Sequence, residues 1–420
     1  MGKRRTLLVV VLAMAVLVAA CGNDDDDNGG GGGKAKKGGG ETTTTVAADF
    51  TLDQPMKVVL LAERKGESPA AIPNFFDGAN LAIDELNAKG GVGGKPVTFE
   101  TIPAPLDPAR AENALLAALD RKPAGIIGLP ASAQVVPLAP KILTGGVPVI
   151  LLSASGTAFR GTQAQGSWAF SIRPRNSGVA SDVARFAMND LKAKKVGLIC
   201  VNNPFGTTGC DAAEKIVKDQ GGTIVARRTN EPTATDLTEQ VLAMKDADVV
   251  LDFNFPNPLG VVANQLIQNG IKAKHADGAS SGLAVASGTV KGEAATNLYG
   301  VDDCVPTEDN RSMAKSFSSS FKEKNKYDPD YAAAQSYDSV MLLAAAVRQA
   351  RSTDPAKVAD ALRTLKHEGV CDPNYQSDSE QILHHQSYFL TFTANGERKV
   401  VRRFEVPDPS ASGTTTTGKP

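Results

Sequence analysis

Short apolar runs alternate with amphipathic stretches along the middle of the chain, and this alternation limits the possible folds more than any other feature. Met56–Ala62 (MKVVLLA) is an apolar run typical of a buried strand. Phe75–Lys89 has its alanines and leucines at helical spacing, so one face of a helix is apolar. Strand and helix then keep alternating, which predicts parallel sheets covered by helices on both faces. The sequence therefore predicts an α/β fold.

The strand–helix units form two blocks of similar length. The first runs from Met56 to about Ser153, and the second from Gly178 to about Ala276. Further helices are predicted at 311–324, 331–351 and 355–365. Two more apolar runs, SYFLTF and KVVRRFEV, flank Asn395-Gly396, a strong hairpin signal. We expect the parallel sheets to be followed by one antiparallel pair of strands.

The charge balance excludes one broad class of function. The 420 residues include 45 Lys and Arg against 46 Asp and Glu, for a formal charge of −1. Coating a phosphate backbone requires a clear excess of basic residues, so we expect no nucleic-acid partner. The apolar fraction of 42% is large enough for a sizeable core and excludes disorder for most of the chain.

The first 21 residues have the pattern of an export signal. Lys3, Arg4 and Arg5 precede the apolar run Leu7–Ala20, which is shorter than the ~20 residues of a membrane-spanning helix. The run ends in Val-Ala-Ala-Cys21, which resembles the site where bacterial lipoproteins are cleaved and lipidated. We therefore expect a signal peptide at 1–20 and a lipid anchor on Cys21; the alternative is an ordinary signal peptide that happens to carry a cysteine.

Residues 21–55 and 408–420 lack apolar periodicity. The first segment is rich in Gly, Asp and Thr, and the second reads as a Ser/Gly/Thr tail. Such composition cannot bury enough apolar surface to offset the entropy of ordering, so we expect a disordered tether and a disordered tail. Asp24–Asp27 is interpreted as solvated charge rather than as a metal site.

Four cysteines follow Cys21: Cys200, Cys210, Cys304 and Cys371. An exported chain with an even number of cysteines is expected to form disulfides, and four cysteines allow three pairings. We favour Cys200–Cys210, which joins a strand to the next helix, and Cys304–Cys371, which joins two distant segments. A site for metal built from all four is disfavoured because no C-x2-C spacing occurs.

The sequence carries no motif for catalysis, and we expect the protein not to be an enzyme. The four histidines form no HExxH pattern, and no nucleophile elbow, phosphate-binding loop or dinucleotide fingerprint occurs. We expect neither a metal nor a cofactor. These absences favour a binding protein.

Polar residues follow two of the first-block strands, where open α/β sheets bind their ligands. Gly128–Ser132 follows the third strand, and the fourth is followed by Ser153–Thr157. Both segments bring small hydroxyls and backbone N–H groups to one edge of a sheet, where they can hold a carboxylate. The alternative is that they are ordinary turn and helix-capping residues.

With these motifs, the chain resembles the leucine/isoleucine/valine-type substrate-binding proteins of ABC importers, which have the type I periplasmic-binding fold. The resemblance covers about 56–406 and depends on four segments in combination. They are the helix and Gly-Gly stop at 77–91, Asp107-Pro108 before an alanine-rich helix, the two polar loops, and Tyr337-Asp338 in a late alanine-rich helix.

The resemblance implies two lobes, each a mainly parallel sheet flanked by helices, joined by three hinge crossovers. Residues 56–173 and 304–387 would form lobe one, and 174–303 with 388–407 would form lobe two. The ligand would bind in the cleft between the lobes.

The resemblance also assigns residues to the ligand. Ser132, Ser155 and Thr157 match the groups that hold the ligand's carboxylate and ammonium, and Ser153 belongs to the same loop. The aromatic residues of lobe two correspond to Phe205 and Phe255.

One position departs from the family pattern. The glutamate that pairs with the ligand ammonium in amino-acid binders aligns with Ala279 or Ser280. Asp277, two or three residues upstream, is the candidate to replace it, because an unpaired buried ammonium would be expensive.

The implied function is that of a lipid-anchored extracytoplasmic protein, expected to be a monomer. It would capture a small molecule, with a branched-chain-like amino acid as the favoured ligand, and deliver it to the subunits of an ABC permease in the membrane. One alternative is a receptor subunit that presents its ligand to a signalling partner. Another is a binder of a different solute, such as an amide or an aromatic acid.

Overall fold

The computed structural model describes residues 50–63, 74–152 and 166–406. The predicted signal peptide, Cys21, almost all of the tether and the tail lie outside this range. None of the helices in the described ranges is long and apolar enough to cross a membrane.

The first sheet has five parallel strands in the order β2-β1-β3-β4-β5. The strands are β1 (Lys57–Leu61), β2 (Thr98–Ile102), β3 (Gly125–Gly128), β4 (Val149–Leu151) and β5 (Ala169–Ser171). Their side chains are almost all buried except on β2, as expected for a parallel sheet covered on both faces.

Within the described residues, six helices and a two-stranded ribbon complete this lobe. The helices are α1 (Asn74–Ala88), α2 (Pro108–Asp120), α3 (Ser132–Thr144), α10 (Ser312–Asn325), α11 (Tyr331–Ala350) and α12 (Pro355–Thr364), and a short ribbon pairs β11 (Lys366–His367) with β12 (Tyr375–Gln376). One core cluster joins α1 and α11 to a face of the sheet, and α2 and α3 cover the other face.

The second sheet has seven strands in the order β14-β13-β10-β9-β8-β6-β7. Its strands are β6 (Lys195–Val201), β7 (Thr223–Asn230), β8 (Val249–Phe253), β9 (Lys274–Asp277), β10 (Leu298–Asp302), β13 (Gln386–Phe392) and β14 (Arg398–Glu405). Its helices are α4 (Asn176–Asn189), α5 (Pro204–Asp219), α6 (Thr238–Leu242), α7 (Pro256–Gln268), α8 (Ser281–Ala286) and α9 (Gly292–Thr296). Strands β6 to β10 run parallel, whereas β13 pairs antiparallel with β10 and β14.

Within the described residues, the chain passes between the two sheets three times. We name these segments the first crossover (172–175, from β5 to α4), the second crossover (303–305, after β10) and the third crossover (384–385, before β13). This is the two-lobe α/β arrangement with three connections that the sequence predicts.

Most elements agree with the sequence prediction, including the terminal hairpin, and the differences have local causes. The sequence pattern predicts this helix over Asp211–Asp219, but α5 already begins at Pro204. Asn203 accepts hydrogen bonds from the backbone N–H groups of Phe205 and Gly206 and so caps the helix. Strand β10 was not predicted because Gly300 interrupts its apolar run. Glycine is required there, since a Cβ at this position would lie 1.9 Å from Ser281 Oγ.

Both predicted disulfides are present. Cys200 on β6 pairs with Cys210 on α5, with the Cα atoms 6.2 Å apart. Cys304 pairs with Cys371, with a Cα separation of 5.0 Å. The second bond joins residues 67 positions apart in sequence, and it attaches the second crossover to the loop that follows β11.

Helices α1 and α11 pack closely because small residues meet at their contact. A Cβ added to Gly78 would lie 2.0 Å from the backbone oxygen of Ala333 and 2.5 Å from Ser336 Oγ. A run of alanines, 332–334, opens the facing helix, and all three are fully buried. The helix backbones therefore approach more closely than any larger pair of residues would allow.

We predict that Gly78→Ala destabilises the protein even though alanine favours helix over glycine. The new methyl group would overlap a backbone atom, so α11 must shift, at a cost of roughly 1–3 kcal/mol of unfolding free energy. Urea denaturation measures the loss. Asn80→Ala, a half-buried position on the same helix, is the control; equal stability of the two variants would contradict this packing.

Candidate functional site

The cleft between the lobes is built from segments that follow the strands of both parallel sheets. In such sheets all strands end at the same edge, so their loops converge. Loops after β1, β2 and β3 form one wall, and loops after β6, β7, β8 and β9 form much of the other. The cavity between them has a volume of about 1830 Å³, larger than the roughly 300–1,000 Å³ typical of small-ligand pockets.

One wall contains the first turn of α3. After β3 the backbone turns sharply, with Gly128 at φ +143° and Leu129 at φ +54°. A Cβ on Gly128 would lie 2.3 Å from the Leu61 backbone oxygen, so only glycine fits. The turn brings Pro130, Ala131 and Ser132 to the cleft at the start of the helix. The N–H groups of a first helical turn have no partner inside the helix and attract negative charge.

Gln134 fixes the geometry of this wall. Its side chain is fully buried, and its amide nitrogen, Nε2, donates to the carbonyl oxygens of Ala104 at 2.7 Å and Pro105 at 2.9 Å. Its Oε1 accepts a hydrogen bond from the Ala131 N–H at 3.2 Å. One amide therefore holds the loop after β2 against the loop after β3, and both loops line the cleft.

The opposite wall presents an aromatic pair. The rings of Phe205 and Phe255 are nearly parallel, with centroids 5.9 Å apart and an interplanar angle of 10°. Asn203 caps the helix that carries Phe205, and Asn176 Nδ2 donates to the Phe205 carbonyl at 2.8 Å. Phe255 precedes α7 directly. The pair gives the cleft a flat apolar surface held by two helix starts.

Polar groups lie at the start of α11. Asp330 accepts a hydrogen bond from the Ala333 N–H, which caps the helix, and another from Asn74 Nδ2 at 2.5 Å. The guanidinium of Arg173 lies 4.9 Å from the centre of the Tyr331 ring. Because Arg173 belongs to the first crossover, this contact places a hinge residue in the wall of the cleft.

The structure does not bring Asp277 to the cleft. Its side chain is fully buried, and its carboxylate accepts hydrogen bonds from the N–H groups of residues 279–281 at 2.7–3.1 Å. Burial, together with the charge of Asp252, raises the pKa of Asp277 to about 6. Asp277 therefore holds the start of α8, while its neighbours Ala279 and Ser280 line the cleft without a charge.

Three of the predicted ligand residues, Ser132, Phe205 and Phe255, line the same cavity. Ser153, Ser155 and Thr157 lie outside the described residues. Gln134, Arg173, Tyr331 and Arg398 also line the cleft and were not predicted. No local signal marks them, because their place in the cleft depends on segments far apart in sequence. Among the residues that the structure describes, no group of His, Cys, Asp and Glu is arranged to hold a metal ion.

Comparison with known families gives a clear result. A family model described as periplasmic binding protein matches residues 55–397, most of the chain. The chain belongs to the periplasmic binding protein family. The family consists of solute-binding proteins rather than enzymes, as the sequence predicts, and it implies a location outside the cytoplasm.

Curated relatives of this periplasmic binding protein are distant. A Leu/Ile/Val-binding protein homolog of Brucella abortus is 27% identical over 46% of this chain and 50% of its own length, so the chain spans about half the length of that relative. An amino acid binding protein of Pseudomonas aeruginosa is 24% identical over 69% of this chain and 77% of its own.

Solved structures show the same fold. The branched-chain amino acid transporter substrate binding protein LivJ of Streptococcus pneumoniae, in complex with isoleucine, is 24% identical with a TM-score of 0.73. The match covers 84% of this chain and 99% of that one. A leucine-, isoleucine-, valine-, threonine- and alanine-binding protein of Brucella ovis, in a closed conformation, is 16% identical with a TM-score of 0.72, over 85% and 97% of the two chains.

We predict that Asp277 makes stability depend on pH. Its pKa is about 6 in the folded protein and 3.8 as its ordinary value, so the unfolded chain ionises first as pH rises. The free energy of unfolding should therefore fall between about pH 4 and pH 6, by up to about 3 kcal/mol. Urea denaturation from pH 4 to 7 should show a smaller fall for Asp277→Asn than for the unsubstituted protein, since buried Asp302 and Asp338 also have raised pKa values and keep their own contributions. A control change at exposed Asp219 should keep the full fall. An identical pH profile for Asp277→Asn would contradict the assignment.

Proposed function

We propose that this protein captures a small solute of the amino-acid class, branched-chain-like, in the cleft between its lobes. The observation that carries the proposal is the cleft itself. Its walls come from the strand ends of two parallel sheets, with a helix start on one side and an aromatic pair on the other. Relatives and solved structures with this fold include a Leu/Ile/Val-binding protein homolog and a substrate-binding protein in complex with isoleucine, which supports this class of ligand.

Each wall suits a different part of such a ligand. The first turn of α3, with the Ser132 hydroxyl, suits a carboxylate because the N–H groups at a helix start and the helix dipole both favour negative charge. The rings of Phe205 and Phe255 suit an aliphatic side chain, which gains free energy when its surface leaves water. We propose that the loop containing Ser153, Ser155 and Thr157 contributes to the same carboxylate site.

Binding would be coupled to closure of the cleft. The cavity of about 1830 Å³ is larger than one amino acid can fill, so contacts to both walls require the lobes to approach. A ligand shifts the population towards a closed form only if it binds that form more tightly. Contacts with Ser132 on one lobe and the phenylalanine pair on the other would supply this difference, with the crossovers as hinges.

We further propose that the protein is anchored to the membrane through a lipid on Cys21, acts as a monomer and delivers its ligand to an ABC permease. The apolar run before Cys21 and the glycine-rich segment after it support an anchored, tethered receptor. Transporter substrate-binding proteins with the same fold support a role in import.

We predict that L-leucine or L-isoleucine raises the melting temperature of the full chain, because a ligand that binds only the folded state stabilises it by mass action. At 100 times the dissociation constant the gain is about 2.7 kcal/mol. Ser132→Ala and Phe255→Ala should each raise the dissociation constant measured by calorimetry at least about tenfold. Ser316→Ala, at an exposed position of α10, should leave it unchanged.

The melting-temperature measurement should also include 4-methyl-2-oxopentanoate, the analogue of leucine in which an oxo group replaces the ammonium. Stabilisation by this acid and by no amino acid would move the ligand class to ammonium-free acids. If no small solute stabilises the protein, or if Ser132→Ala and Phe255→Ala bind like the unsubstituted protein, the cleft assignment is wrong.

We predict that Cys21→Ser releases the protein from membranes. The thiol is the only group at that position able to accept a diacylglyceryl chain, so the serine variant should appear in the soluble fraction after export. Fractionation of cells expressing either form, with labelled palmitate as tracer, measures the change. Cys200→Ser with Cys210→Ser is the control, and it should stay in the membrane fraction; equal membrane content and label in Cys21→Ser would contradict lipidation.

A further inference from the structure

The three crossovers meet in a buried polar cluster, which we call the hinge cluster: Arg173, Asp303, Asp372, His384 and Ser387. All five residues are at most 7% exposed. Arg173 of the first crossover contacts Asp303 Oδ2 of the second through Nε and one terminal nitrogen, both at 2.5 Å. Ser387 Oγ, at the start of β13, donates to Asp303 Oδ1 at 2.9 Å.

His384 of the third crossover is placed between two acceptors. Its Nε2 lies 2.7 Å from the backbone oxygen of Asp303, and its Nδ1 lies 2.9 Å from Asp372 Oδ2. A carbonyl oxygen can only accept a hydrogen bond, and so can an ionised carboxylate. A neutral imidazole has one N–H and one lone pair, so it can satisfy only one of these contacts. Both contacts are hydrogen bonds only when the ring carries two protons.

Asp372 is held as a carboxylate by the groups around it. Its Oδ1 accepts hydrogen bonds from the Asn374 N–H at 2.9 Å and from Gln386 Nε2 at 3.3 Å, which leaves Oδ2 for His384. Burial opposes ionisation, but the hydrogen bond and charge of His384 outweigh it and lower the pKa of Asp372. A proton shared with His384 therefore resides on the ring.

Other charged and titratable groups face His384 from the elements packed around it. Asp338 on α11 adds a negative charge and accepts a hydrogen bond from Tyr375, whose ring centre is 5.6 Å from the imidazole. Arg173 is the opposing cation, bound to Asp303, and the neighbouring His385 pairs with Asp378 at 3.2 Å. Burial disfavours the charged ring, but Asp372 and Asp303 outweigh burial and raise the pKa of His384.

We propose that His384 is a doubly protonated clasp that ties the third crossover to the second, and that losing one of the two ring protons as pH rises loosens the hinge between the lobes. Without one ring proton, either the Asp303 carbonyl or the Asp372 carboxylate faces a lone pair. The Cys304–Cys371 disulfide keeps the second crossover attached to the Asp372 loop whether or not the ring is charged. Deprotonation therefore frees the third crossover without unfolding the protein.

The proposal deepens the proposed function, since it takes the lobes as the moving parts of a binding cleft. Its test uses no ligand, so its failure and the failure of the proposed function are distinguishable. The stability that the clasp adds should be complete below the ordinary histidine pKa of 6.5 and should disappear as pH rises through the higher folded value.

The protonation state is measured by imidazole ¹⁵N NMR on the full chain. The sequence contains four histidines, so the spectrum of His384→Gln identifies the His384 signals by their loss. We expect the ring to titrate with a midpoint above about 6.5, and both ring nitrogens to be protonated below that midpoint. A midpoint at or below about 6.5, or a single N–H below the midpoint, would overturn the proposal.

Hinge motion is measured in parallel by single-molecule FRET on the full chain. The dyes are attached through unnatural amino acids at exposed positions 113 on α2 and 220 after α5, which leaves the disulfides intact. We expect the distribution of distances between the lobes to shift and broaden as pH rises through the His384 midpoint, and to recover when pH is lowered.

The matched control is His385→Gln, which changes the adjacent residue of the same crossover. The His385 side chain is partly exposed, and its ring contacts Asp378. It should keep the pH response, whereas His384→Gln should lose it. If His384→Gln does not fold, the unsubstituted protein still decides the matter. Coincident NMR and FRET midpoints support the clasp, and separate midpoints, or a pH response retained in His384→Gln, overturn it.

Discussion

The carboxylate of Asp303 is the interaction on which the arrangement of the two lobes depends. It lies in the second crossover, accepts two contacts from Arg173 in the first and one from Ser387 beside the third. An ion pair this deeply buried gains little net stability, because desolvating both charges offsets their attraction, whereas removing one partner is strongly destabilising. Its effect is therefore on geometry: it fixes where three otherwise separate connections meet, and with them the angle between the sheets.

That geometry explains why the cleft lies where it does. The crossovers join the lobes so that the strand ends of both sheets border one cavity. The residues that line this cavity come from the loops that follow those strands, and the sheets hold the loops in place. Gln134 is one example, since its single buried amide links the loops after β2 and β3. Arg173 connects cleft and hinge directly, because it contacts both Tyr331 and Asp303.

The sequence predicts the elements better than it predicts the site. Apolar periodicity is a local property, so the terminal hairpin is predicted nearly to the residue. The favoured disulfide pairs, chosen among three possible pairings, are also confirmed. Asp277 shows the limit. Its position at the end of β9 suggested a ligand contact, but whether a carboxylate faces the cleft or its own backbone depends on how α8 begins, and three N–H groups of that turn bind it. The composition of the segment contains no sign of this choice.

The hinge cluster could not be predicted from sequence for a related reason. Arg173, Asp303 and His384 are separated by 130 and 81 positions, and each alone has the features of an ordinary polar loop residue. His384 and His385 are adjacent and chemically identical, yet one is fully buried between two acceptors and the other is partly exposed with a single partner. Their difference arises only when the second and third crossovers are brought together. The same contact that closes the fold therefore creates the environment in which one of the two imidazoles keeps its second proton.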